Sequence, residues 1–182
     1  MVDLDRYREP SREPAVLEAR RHALVEQMRW LIAEADALGP LLGSLPPWAV
    51  DQAPVPEELS IKETLQALAA VDRTVIPAWL DRITEADGDD VLAFESPHLG
   101  DAAAGANDRD LADLLADVTA AREPLAARVA EIPAATWDRA VSLDGEAMDL
   151  YGLVLAIVRR DADELKTLAY RLHGADLSQR QR

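Results

Sequence analysis

Cysteine is absent from the 182-residue chain. That excludes a disulfide framework, a thiolate zinc site and a cysteine nucleophile, and it suits a reducing cytoplasm. Basic charge is also short, with 19 Lys and Arg against 34 Asp and Glu, a formal net charge of -15. Such a surface repels phosphate backbones and anionic bilayers, which argues against nucleic-acid and membrane partners. No apolar run approaches the roughly 20 residues that a membrane span needs. Residues 1–14 have no apolar h-region, so they read as a polar arm rather than a signal peptide. Only three histidines are present, His22, His98 and His173, and they share no ligand spacing. No glycine-rich loop is placed to cradle phosphate. Runs of β-branched residues are scarce while alanine and leucine are plentiful, which favours helices.

Helical periodicity divides residues 15–173 into four amphipathic segments. The first covers residues 15–38, with Leu17, Leu24, Met28, Leu31, Ala35 and Leu38 inward and His22 and Trp30 outward. Gly39 and Pro40 end or bend it. The proline-rich stretch 43–59 reads as an ordered loop pinned by Trp48. The second helix starts with the capping box Ser60-Ile61-Lys62-Glu63 and carries the stripe Ile61, Leu65, Leu68, Val75, Trp79 and Ile83. Pro77 kinks it. A long connection, 85–107, holds Phe94, which tucks inward, and His98, read as a solvated loop histidine. The third helix runs over 108–132 with Asn107 or Asp108 as its cap, Arg122 facing inward and Pro124 bending it. A turn region follows, with Asp144-Gly145 as a tight-turn signal for a short hairpin. The fourth helix covers 148–172, and 174–182 form a tail. The expectation is an all-α fold, a four-helix bundle with a long crossover between helices 2 and 3.

Several charges break the apolar stripes. At roughly 100° per residue, Asp161 lies about 20° from Leu150, Glu164 about 40° away on the other side, and Arg160 about 80° away. Asp72 falls within about 20° of the second stripe by the same geometry. A charge on a core-facing stripe is costly unless it is paired or coordinated. Asp72, Arg122, Arg160, Asp161 and Glu164 therefore form a candidate pocket or a self-neutralising ion-pair network.

Two stretches resemble a known family. Residues 60–73, SIKETLQALAAVDR, resemble the second-helix motif of the DinB-like (DinB/YfiT) four-helix-bundle superfamily. The segment from Trp137 through Gly145 to Leu168 resembles its final turn and last helix. The resemblance implies the bundle and a divalent metal held by three histidines, sometimes with a carboxylate. It also implies frequent homodimers and, in some bacterial members, thiol-dependent transferase chemistry. The chain departs from the pattern at the metal. Ala67 stands at the helix-2 ligand position, and Arg160 and Glu164 stand at the two helix-4 positions. An alanine offers no donor and an arginine repels a divalent ion, so no metal and no cofactor are carried over.

The leading functional expectation is a metal-free binding or interaction protein, a homodimer with the outward Trp30 at a partner surface. The alternative is a thiol-dependent transferase or isomerase. In that enzyme Asp72, Asp161 and Glu164 would move protons, and Arg122 and Arg160 would hold a small anionic or thiol ligand. A carboxylate-only site for magnesium, calcium or manganese ranks third.

Overall fold

A computed structural model describes residues 13–180 except 57 and 89, with side chains to residue 173. The N-terminal arm lies, but for its last two residues, outside the described residues. The chain is mostly helical. Its long helices are α1 (Pro14–Gly43), α6 (Leu111–Glu131) and α7 (Leu150–Arg180). A fourth helical run comprises α3 (Ile61–Ala70), a π-helical turn (Val71–Val75) and α4 (Ile76–Glu85). The short helices are α2 (Pro47–Asp51) and α5 (Leu99–Ala102). Helix α1 packs most extensively on α6, α6 packs on α3, and α7 packs on α1.

Local chemistry explains most boundaries. The Ser60 side chain accepts from the Glu63 amide at 3.1 Å, and the Glu63 carboxylate accepts from the Ser60 amide at 2.7 Å. The capping box therefore starts α3 where the sequence places it. Pro77 does not simply kink the second helix. It lacks an N–H and crowds the preceding turn, and the π turn just before it provides the room. Within that turn the Ile76 amide donates to the Val71 carbonyl, five residues back. Pro40 likewise sits inside α1 rather than at its end. Leu42, beyond it, is buried in the core and helps hold the last turn.

Four expectations need correction. The proline-rich stretch contains a short helix, α2, with a proline in its first turn. Val50 pins it, while Trp48 remains 45% exposed. Helix α6 starts at Leu111, because Asn107 is engaged elsewhere: it accepts from the Ser60 hydroxyl at 2.7 Å, and its amide donates to Glu63 at 3.2 Å. Residues Ala106–Asp108 form a 3-10 turn instead. Helix α7 continues to Arg180 through the segment read as a tail, since one glycine in it costs only about 1 kcal/mol against alanine.

The fourth correction is a small sheet. Strands β2 (Ala140–Leu143) and β3 (Glu146–Asp149) form the hairpin that Asp144-Gly145 signals. Both turn residues have positive φ, 53° and 83°, the geometry of a two-residue primed turn. Strand β1 (Leu92–Phe94), from the long connection, pairs parallel to β2 with Leu92 opposite Val141 and Phe94 opposite Leu143. No sequence signal marks β1. Phe94 packs inward on Trp79 with ring centroids 5.2 Å apart, and Trp137, in the turn region, is fully buried.

The apolar core falls into two clusters. One joins Leu24, Val25 and Met28 of α1 to α4, the far half of α6, the hairpin and residues 150–157. The other joins Leu31 to Leu42 of α1 to α3, the first half of α6 and Leu168. In sequence Arg122 and Asp161 each fall between residues of the two clusters, and Asp72 follows Val71, the first residue of its helical run to belong to the first cluster, so the charged residues lie near where the apolar core divides.

A buried ring of two arginines and two aspartates as candidate functional site

Three helical runs supply the ring. The π turn carries Asp72, α6 carries Arg122, and α7 carries Arg160 and Asp161. Arg122 Nε donates to Asp72 Oδ2 at 2.6 Å, and Arg122 Nη1 lies 2.7 Å from Asp161 Oδ2. Arg160 Nη2 donates to Asp161 Oδ1 at 2.7 Å and to Asp72 Oδ1 at 3.3 Å. Each carboxylate thus bridges both guanidiniums through separate oxygens, and the four charges alternate around a closed ring. Arginine suits this role because its planar fork reaches two acceptors at once.

The ring is sealed on all sides but one. Asp72 and Arg122 side chains are 0% exposed, Asp161 is 7% and Arg160 is 20%. Arg122 is incompletely satisfied. Its Nη1 contact with Asp161 lies outside hydrogen-bond angles, and Nη2 has no partner. Burial pushes the Asp72 carboxyl up, against the opposing effect of Arg122 and Arg160. For Arg160, burial acts to lower the guanidinium, but Asp161 and Asp72 together hold it above its ordinary value. We take the short contacts as those of charged partners, since two guanidiniums flank each carboxylate.

Of the five candidate pocket residues, the structure joins four. Glu164 stays outside the ring, half-buried on the next turn of α7, without an ion pair among the described residues. Burial raises its carboxyl above the ordinary range, against Arg160 and Arg171. At the positions that the resemblance assigns to a metal, Ala67 is fully buried and donorless, Arg160 is held by aspartates, and Glu164 stands alone. These residues do not fit a divalent metal. Among the described residues no group of three or more His, Asp or Glu side chains is placed to hold one. His22, His98 and His173 are exposed, as is Trp30 at 58%.

Sequence reasoning misses the cavity beside the ring. A space of about 160 Å³ is lined by Ile76, Trp79, Ser96, Pro97, Leu99, Leu143, Ala156, Ile157 and Arg160. Arg160 alone belongs to both features. The segment after β1 forms part of the wall and is clasped to the hairpin turn. Asp144 accepts from the Ser96 amide at 2.8 Å and from its hydroxyl at 2.6 Å, while the Asp144 amide donates to the Phe94 carbonyl. Those two hydrogen bonds from Ser96 hold the Asp144 carboxyl below its ordinary value. Ser96 to Leu99 carry no periodic pattern, so only the pairing of β1 with β2 could have pointed to them.

No protein-family model, curated protein or solved structure matches the chain.

The ring and its neighbour Glu164 each set an expected outcome. Arg122→Met leaves two buried carboxylates with one guanidinium, and should lower the free energy of unfolding by about 3–5 kcal/mol in urea titrations. A loss smaller than about 1 kcal/mol would show that the ring relaxes freely. For Glu164 the folded carboxyl ionises at higher pH than the unfolded one, so stability is lost as pH rises through the folded value. Glu164→Gln should therefore raise Tm by about 1 °C at pH 7. The difference should close near pH ~3, where both states hold the proton. An unchanged or lower Tm at pH 7 would contradict the assignment.

Proposed function

We propose that the chain is a divergent DinB-like four-helix-bundle protein in which the ring of Asp72, Arg122, Arg160 and Asp161 stands in place of the family metal centre. We infer that it acts as a binding protein rather than a metal-dependent transferase. One observation carries this reading: Asp72 and Asp161, two of the three inward carboxylates that would serve as acids, bases or ligands, are held by arginine and closed off from solvent. A general base must reach the proton that it abstracts, and Asp72 cannot do so from inside the ring. This weighs against the enzymatic alternative. The packing of α1, α3, α6 and α7, and the long passage from α4 to α6, support the bundle.

The register behind this reading is open to a direct test by Ala67→His, Arg160→His and Glu164→His in one chain. The triple variant should gain tight zinc or nickel binding that the parent lacks, read by elemental analysis after dialysis. One tightly held equivalent in the parent, or no gain in a folded triple variant, would overturn the reading.

The same reading includes a homodimer, supported by the exposed indole of Trp30 on the outer face of α1. Light scattering should give twice the chain mass at high concentration. The monomer mass from micromolar to millimolar protein would reject it.

A further inference from the structure

The cavity beside Arg160 has the features of a small-molecule site. Its walls are largely apolar, from Ile76, Leu99, Leu143 and Ile157. Its volume of about 160 Å³ is far below that of a drug-sized pocket. It compares with the ~150 Å³ engineered cavity that accepts benzene. The occupant is therefore limited to roughly one small ring with a short substituent.

Two N–H donors in the lining lack acceptors. Trp79 is 91% buried by its 9% exposure, yet its indole N–H donates to no described residue. Arg160 reaches the ring through Nε and Nη2, and its Nη1 donates to no described residue. Both donors remain open to water. An occupant that displaces that water without offering an acceptor loses affinity, so one that carries an acceptor is favoured over a pure hydrocarbon. The Ser96 hydroxyl adds no donor, because its proton goes to Asp144.

The charge balance decides the ligand class. Arg160 already serves Asp72 and Asp161, and Glu164 adds a third carboxylate one turn along α7. Arg122, the other cation, is fully buried within the ring and paired with both aspartates. An anionic ligand would meet no uncompensated positive charge here, and would leave water for a net negative neighbourhood in a chain of net charge -15.

We propose that this cavity binds a neutral, ring-sized, mostly apolar molecule with a carbonyl-type oxygen, which accepts from the Trp79 indole, the Arg160 guanidinium or both. The proposal rests on the reading of the chain as a binding protein and names the ligand class. It departs from the anionic or thiol ligand that the charged residues suggest in sequence.

The test is a titration of the full chain with acetophenone, followed through the indole N–H resonances in two-dimensional NMR. Trp79→Phe identifies the relevant signal. Acetophenone should shift it saturably. Toluene, which lacks the acceptor, should bind about three- to tenfold more weakly. Benzoate should produce no shift over the same range. Ala156→Leu fills the cavity without touching the ring and should abolish the acetophenone shift while leaving circular dichroism unchanged. The proposal is overturned if acetophenone gives no saturable shift, if the shift survives Ala156→Leu, or if toluene or benzoate binds as tightly. Tight metal binding by the parent would defeat the proposed function and leave this titration readable, so the two failures are distinguishable.

Discussion

The alternating ring of Asp72, Arg122, Asp161 and Arg160 is the constraint around which the helices are arranged. Four charges removed from water are tolerable only if every one has its counterpart within contact distance. Three helical runs must therefore meet at one height and in one register. A shift of α7 by one residue against α6 would turn Asp161 away and strand Arg122. The net gain in stability from such a ring is small, because desolvation offsets most of the attraction. Its effect is on uniqueness. Arg122 and Asp161 stand where the apolar core divides, so α6 and α7 cannot slide past each other without breaking the ring.

The π turn belongs to the same arrangement. Pro77 cannot donate to the carbonyl four residues back, and the wider turn absorbs that defect just where Asp72 enters the core. A proline that weakens the backbone ladder thus sits next to the residue that needs an unusual placement. The small sheet has a comparable part at the other border of the site. Pairing of β1 with β2, and the clasp of Ser96 on Asp144, hold an otherwise patternless segment against α4 and α7. The cavity exists because that segment spans the gap between them.

Much of the helical layout was legible in the chain, for identifiable reasons. The Ser60–Glu63 box, the apolar stripes and the Asp144-Gly145 turn are local signals whose physics is complete within a few residues. Asp72, Arg122 and Asp161 were legible as inward charges because angular position on a helix follows from spacing alone. The misreadings share a different origin. Spacing suits Asn107 or Asp108 as a cap for the helix after it, whereas Asn107 braces the helix before it in the fold. Trp48 was read as a pin, and Val50 holds that place. Strand β1 went unread because three residues carry too little periodicity to register.

The amino-acid sequence by itself determined the net negative charge, the helical character of the chain and the identity of the charges that must go inside. It determined too that neither histidine nor cysteine stands at positions 67, 160 and 164, which the resemblance assigns to a metal. Tertiary structure alone decided that Glu164 stays out of the ring while Arg160 joins it, although both lie near the same face. The reason is reach: the Arg160 guanidinium can cross to Asp72 on the π turn while it holds Asp161 on its own helix, satisfying two carboxylates at once, whereas Glu164 would bring a third negative charge to a balance already met. It decided as well that Arg160 closes the ring on one side and borders an apolar cavity on the other, because Ile76, Trp79 and the segment from Ser96 to Leu99, which form much of that wall, lie more than fifty positions away.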